Sequence, residues 1–185
     1  TVREAIGKDI KLMVDANNAY KHYQAMEVAR KIEKYDVFWF EEPVEPDDYE
    51  GSAIIARSTS TPIASGENEY TRYGFRDMIN ARSADILQPD ALVLGGITEF
   101  MKITALAQAN DLDISPHGAQ EVHVHLVSAI PNGLILEFYN DTVDPMWGKS
   151  YTETINIKDG YVSPPDLPGL GLELNKKELE KYRVL

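Results

Sequence analysis

At 185 residues, with 43% hydrophobic and 26% charged side chains, the chain has enough apolar material for one domain with a buried core, and its composition argues against wholesale disorder. Eighteen basic against 30 acidic residues, a formal charge of −12, argue against a nucleic-acid or anionic-membrane partner, because like charges repel. There is no cysteine for a disulfide or a thiolate, which fits a cytoplasmic protein, and there is neither a basic-flanked signal core nor an apolar run near the roughly 20 residues of a membrane-spanning helix.

Thr1 to Lys8 reads as the last turns of a helix ending at Gly7, with no helix start before it, so the chain is expected to be cut from a longer protein. Short apolar runs then alternate with longer amphipathic ones. The runs predict strands at Lys11 to Val14, Val37 to Phe40, Pro62 to Ala64, Ile86 to Leu87, Asp113 to Ser115 and Leu134 to Leu136. Between them the spacing of Tyr23, Met26, Val28 and Ile32 predicts a helix over Tyr20 to Lys34. Ile97, Met101, Ala105 and Leu106 predict another over Thr98 to Ala109, with Thr98 as its cap. After Glu137 the pattern changes. Residues 141–185 read as a small hairpin turning at Lys158-Asp159-Gly160, a proline-rich tail and a short charged helix from Lys176 to Lys181.

Each apolar run ends in a polar residue able to do chemistry. Asp15, Glu41, Glu67, Asp90, His117 and Glu137 follow one another at 26, 26, 23, 27 and 20 residues, about the length of one strand, one helix and two loops. Parallel strands joined by right-handed crossovers bring their ends to one face. The fold class expected is therefore α/β, a partial (β/α) TIM-type barrel of about six strand–helix units over residues 1–140, with active-site residues on its C-terminal face. Eight units are needed for closure, so two strands are expected from sequence upstream or from another chain.

Asp15, Glu41 and Glu67 on successive strand ends can converge on a hard divalent cation that takes oxygen ligands, most simply Mg²⁺. Glu42 competes with Glu41, but register favours the residue that directly follows the strand. Asp90 and His117 end the next two strands. A carboxylate beside an imidazole fixes its tautomer and makes a proton-transfer pair, although a turn-forming aspartate and a loop histidine are the plain alternatives. Glu137 is either a partly desolvated, protonated hydrogen-bond donor or an ion-paired structural acid. His123 and His125 tempt a metal assignment, but residues two apart on a helix do not share a face. Gly95-Gly96 before Ile97-Thr98 is either a phosphate-admitting helix start or a tight turn.

Taken together, Val14-Asp15-Ala16-Asn17, Phe40-Glu41-Glu42-Pro43, Ser65-Gly66-Glu67-Asn68, Gln88-Pro89-Asp90, Gly95-Gly96-Ile97-Thr98 and Ser115-Pro116-His117 resemble the enolase superfamily, specifically the C-terminal barrel domain of its mandelate racemase/muconate lactonizing enzyme subgroup. The stretch from His117 to Leu126 looks most similar to acid-sugar dehydratases of the talarate and galactarate type. The resemblance implies Asp15, Glu41 and Glu67 as Mg²⁺ ligands, His117 with Asp90 as base or acid, Glu137 as a donor to the substrate carboxylate, and Asn17 as a substrate contact. It further implies a small-molecule carboxylate substrate and a homo-oligomer. The family's α+β capping domain, its first two barrel strands and a Lys-x-Lys opposite the histidine are not matched here, the first strand of this chain corresponding to the family's third.

The function expected is Mg²⁺-dependent abstraction of a proton alpha to a carboxylate, leading to dehydration of an acid sugar. The alternatives are a racemase or epimerase of a 2-hydroxy acid, or a catalytically incomplete barrel fragment.

Overall fold

The computed structural model describes residues 1–140, 143 and 149–184. Five parallel strands, β1 (Leu12–Asp15), β2 (Val37–Glu41), β3 (Ile63–Ser65), β4 (Ile86–Leu87) and β5 (Asp113–Ile114), lie side by side in chain order. Helices α1 (Val2–Ile6), α2 (His22–Ile32), α3 (Tyr49–Ala56), α4 (Thr71–Ala81), α5 (Ile97–Gln108) and α6 (Gln120–Ala129) alternate with them, and α7 (Lys176–Leu179) follows near the C-terminus. This is the open, sequential βα order expected of part of a barrel.

The period of two along each strand divides the apolar residues between two cores. Trp39, Ala64 and Ile86 pack together on the inner face with Met13 and Leu134, and Phe38, on the opposite face of β2, meets this cluster through the ring of Trp39. Phe40 and Ile63 face the helices, against Ala25, Ala29 and Ile55. Helical spacing supplies the other half: Phe75, Met78 and Ile79 of α4 and Phe100, Ile103 and Ala107 of α5 close on Leu87, Ile114 and α6. Glu41 lies two residues beyond Trp39 on the same strand, so the inner face that begins as a core ends as a polar rim.

The ends of several elements differ from the sequence expectation. At α1 the Thr1 hydroxyl accepts from the Glu4 N–H at 3.3 Å. The cap of α5 is Gly96, at φ +95°, rather than Thr98. Gly95 and Gly96 therefore form the tight turn of the two alternatives, because both need positive φ. Leu134 to Leu136 do not form a strand. The segment meets β5 at one parallel bridge, Ile114 with Gly133, reinforced by Leu134 N–H to Ile114 O at 2.8 Å and Ser115 Oγ to Ile135 O at 3.1 Å. With no described strand on its other side, a ladder does not extend.

In the tail, Lys158 and Tyr161 pair around the expected turn, and Asn175 caps α7 through the Glu178 N–H. Residues 141–142, 144–148 and 185 of the expected hairpin-and-tail region lie outside the described residues.

Candidate active site

Five of the six residues picked out by spacing lie at or just beyond the C-terminal ends of the strands, and Glu137 follows the Leu134 to Leu136 segment, which is not a strand. Asp15 and Glu41 are direct register partners across β1 and β2. The Asp15 carboxylate is exposed and accepts the Asn17 N–H at 2.7 Å, closing a tight turn in which Asn17 and Asn18 both take positive φ. Asn17 is exposed beside it. Glu41 is buried, 9% exposed, and accepts the indole N–H of Trp39 at 2.9 Å. Burial, together with the charges of Asp15 and Glu137, pushes its carboxyl up to about 7 against the pull of its Gln88 and Trp39 donors.

Glu67 follows Gly66, whose φ of +136° turns the chain where a Cβ would come within 2.9 Å of Phe75 and 3.2 Å of the Gln88 nitrogen. Burial also pushes Glu67 to about 7, with Glu42, Glu41 and Asp15 adding to the rise and His117 opposing it. The neighbouring Glu42, 1% exposed, is committed elsewhere. Its two oxygens accept from Asn18 Nδ2 at 2.7 Å and Asn68 Nδ2 at 3.0 Å. Both acids therefore accept from two side-chain donors, Glu41 from Trp39 and Gln88 and Glu42 from Asn18 and Asn68, and Glu41 is the one that also lines the cavity between the strand ends.

Asp90 and His117 meet as a pair, Oδ2 to Nδ1 at 3.0 Å, and the other Asp90 oxygen accepts the Leu92 N–H at 2.8 Å. Burial alone would raise Asp90, but the His117 and Leu92 hydrogen bonds outweigh it and hold the carboxyl below its ordinary range. The Asp90 hydrogen bond in turn lifts His117 to about 9 despite partial desolvation, with Glu67 and Glu137 helping. Its free nitrogen, Nε2, stands 3.7 Å from the Glu67 carboxylate. His117 thus bridges the paired carboxylate of β4 and the carboxylate group of β1 to β3.

Glu137 is reached by two donors, the Gly118 N–H at 2.6 Å and the Tyr139 hydroxyl at 2.8 Å. Among the described ion pairs none joins it to a lysine or arginine. A cavity of about 280 Å³ runs beneath, lined on the polar side by Glu41, Gln88, Ser115 and Glu137 and on the apolar side by residues including Met13, Trp39 and Phe138.

The arrangement gathers negative charge from Asp15, Glu41, Glu42, Glu67 and Glu137 against one imidazole. Among the described residues, no three His, Asp or Glu side chains converge at ligating distance. The donor set nonetheless fits a hard divalent cation in kind. It offers oxygen donors on adjacent strand ends, and the crowding that raises Glu41 and Glu67 is what a 2+ charge would relieve.

Sequence spacing missed Trp39, Gln88, Asn18, Asn68 and Tyr139, which hold the acids in place. Trp39 and Tyr139 lie two residues from the acids they bond, a same-face spacing that could have flagged them. The two asparagines that hold Glu42 are neighbours only in space. His123 and His125 do lie on a helix, α6, and face different partners, as their spacing predicts. No helix among the described residues is long and apolar enough to cross a membrane.

Comparison with known proteins gives the same placement. The sequence profile of the enolase C-terminal domain-like family matches residues 1–178, and the chain belongs to that family. It is 36% identical over 183 residues to the 3,6-anhydro-α-L-galactonate cycloisomerase of Streptomyces coelicolor, covering 99% of this chain and 50% of that protein. It is 37% identical over 176 residues to the L-talarate/galactarate dehydratase of Salmonella typhimurium, covering 95% and 43%. Among solved structures, the L-talarate dehydratase of a Polaromonas species, complexed with Mg and L-glucarate, superposes with a TM-score of 0.87 at 40% identity, covering 95% of this chain and 48% of that one. The chain spans about half the length of these relatives.

Proposed function

We propose that this member of the enolase C-terminal domain-like family carries half of the active site of an Mg²⁺-dependent acid-sugar dehydratase. The observation behind the reading is the placement of His117. Its Nδ1 is fixed by Asp90 at 3.0 Å and its Nε2 faces Glu67 at 3.7 Å, on consecutive strand ends beside Glu41 and Asp15. Relatives named as dehydratases of arabinonate, talarate/galactarate, xylonate and rhamnonate support the substrate class.

Asp15, Glu41 and Glu67 would hold the cation. Bound there, Mg²⁺ would anchor a substrate carboxylate and offset the negative charge that develops on its oxygens when the α-proton leaves. The Asp90 hydrogen bond at Nδ1 favours the protonated imidazole, so His117 would serve as the acid. Its Nε2–H would be given to the β-hydroxyl, which departs as water, while Asp90 keeps Nδ1–H in place. Glu137, oriented by Gly118 and Tyr139, would donate to the substrate carboxylate when its carboxyl carries a proton, and Asn17 would contact a substrate hydroxyl. The α-proton would go to a second group on the opposite face, which this reading places, with the remaining barrel strands, outside these 185 residues. The carbon skeleton is left as an enol that becomes a 2-keto-3-deoxy acid, so substrate equals product plus one water.

The test is incubation of the full-length protein with Mg²⁺ and a panel of five- and six-carbon acid sugars. A 2-keto-3-deoxy acid appearing with at least one of them, and lost in the presence of a chelator, supports the reading. Isomerisation without loss of water would replace it with the cycloisomerase or epimerase alternative, the first favoured by the relatives of that name. No turnover of any acid sugar would overturn both.

A further inference from the structure

The proposed reaction leaves His123 unused, yet its ring is among the most constrained side chains in the molecule. It is 0% exposed and stacks on Phe100 with ring centroids 5.7 Å apart. Nδ1 lies 2.7 Å from the carbonyl oxygen of Gly118, and Nε2 lies 2.9 Å from the backbone nitrogen of Ala91. A peptide N–H can only donate and a carbonyl can only accept, so the partners dictate the tautomer: the proton is on Nδ1, the lone pair on Nε2, and the ring is neutral. Burial acts in the same direction and holds the imidazole below its ordinary pKa.

The two anchor points are adjacent to the proton-transfer pair. Ala91 follows Asp90, and Gly118 follows His117. The Gly118 N–H in turn donates to Glu137 at 2.6 Å, so one ring ties together the loops after β4 and β5 and the segment that presents Glu137. Nε2 is also 3.7 Å from Asp90 Oδ1, too far for a hydrogen bond, so the grip is on the backbone rather than on the carboxylate.

We propose that His123 is a positioning residue, a neutral clamp between the β4 and β5 loops that sets the separation of Asp90 and His117. The clamp rests on the reading of those two residues as the proton-moving pair, but its geometry can be measured without turnover. Nitrogen-15 NMR of histidine in the full-length protein is expected to show His123 as the Nδ1–H tautomer, still neutral below the ordinary imidazole pKa of about 6.5. An Nε2–H tautomer, or titration at the ordinary value, overturns the proposal whether or not any variant folds.

His123→Phe keeps the ring and its stacking while removing both hydrogen bonds. In it, the downfield proton resonance of the His117–Asp90 hydrogen bond is expected to broaden or vanish. Acid-sugar turnover should show kcat lower by about 10- to 100-fold, as expected for misplacement of a catalytic group, with KM changed less than about twofold. His123→Gln, whose amide oxygen can still accept from Ala91, should fall between the two. An unchanged resonance in His123→Phe overturns the clamp. A wild-type protein that shows the tautomer and the His117–Asp90 resonance but consumes no acid sugar leaves the clamp standing and removes the proposed reaction.

Discussion

Glu41 and Glu67 are carboxyls whose folded pKa values, about 7, lie above the ordinary 4.5, chiefly because both are buried among like charges. The folded state therefore binds more protons than the unfolded chain between those values. The resulting penalty is absent below about 4.5, grows as pH rises and is complete above about 7. His117 acts in the same sense: raised to about 9 by Asp90, it contributes stability that is fully present below its ordinary 6.5 and is lost as pH rises through 9. The metal-free chain should accordingly be more stable toward urea at pH 5.5 than at pH 8.5, and a flat or rising profile would contradict this. Glu41→Gln removes one buried charge while keeping the shape, so at pH 8 the metal-free variant should be more stable by about 1–3 kcal/mol. At pH 4.5 the difference should disappear. At this scale the sequence was legible where a reactive side chain directly ended an apolar run, as with Asp15, Glu41 and His117. It was not legible for Glu42, because its Asn18 and Asn68 partners arrive from two different loops.

At the scale of the element, the position of Glu67 depends on Gly66. The backbone there takes φ +136°, and a methyl group would press on Phe75 of α4 and on the Gln88 peptide. Gly66→Ala should cost about 1–3 kcal/mol in chemical denaturation and should weaken divalent-cation binding, since Glu67 would be displaced. A change under about 0.5 kcal/mol would mean the turn relaxes freely. The extents of α2 and α5 were legible but their buried faces were not: Tyr23, Ile97, Met101 and Ala105 are exposed, and the buried residues are Ala25 and Ala29 in α2 and Phe100, Ile103, Thr104 and Ala107 in α5, while α4, which repeats Phe75, Met78 and Ile79, was not singled out. Strand ends were harder to read. β4 and β5 are two residues long, and what separates β5 from the strandless segment at Leu134 is the presence of a neighbour on each side, which no local pattern encodes. The capping of α5 by Gly96 was missed for a related reason. The turn chemistry of two positive-φ glycines determined the start, and Thr98 came too late to cap it.

For the molecule as a whole, sequential parallel pairing gathers the strand ends on one face but leaves β1 with one unpaired edge among the described residues. The inner core of Trp39, Ala64 and Ile86 is thin, with Met13 and Leu134 half-buried around it. The 185-residue chain alone should therefore bind an apolar dye and self-associate with rising concentration, as judged by sedimentation. A monodisperse, dye-silent monomer would contradict that. The barrel register was legible because the spacing of strand-terminal residues reports topology directly. The convergence of three carboxylates on one cation remains the central claim, and calorimetric titration of Mg²⁺ into the full-length protein tests it most directly. Binding should be lost or severely weakened in Asp15→Asn, Glu41→Gln and Glu67→Gln and largely retained in Glu42→Gln. Undiminished binding in the first three, or loss only in Glu42→Gln, would contradict the account.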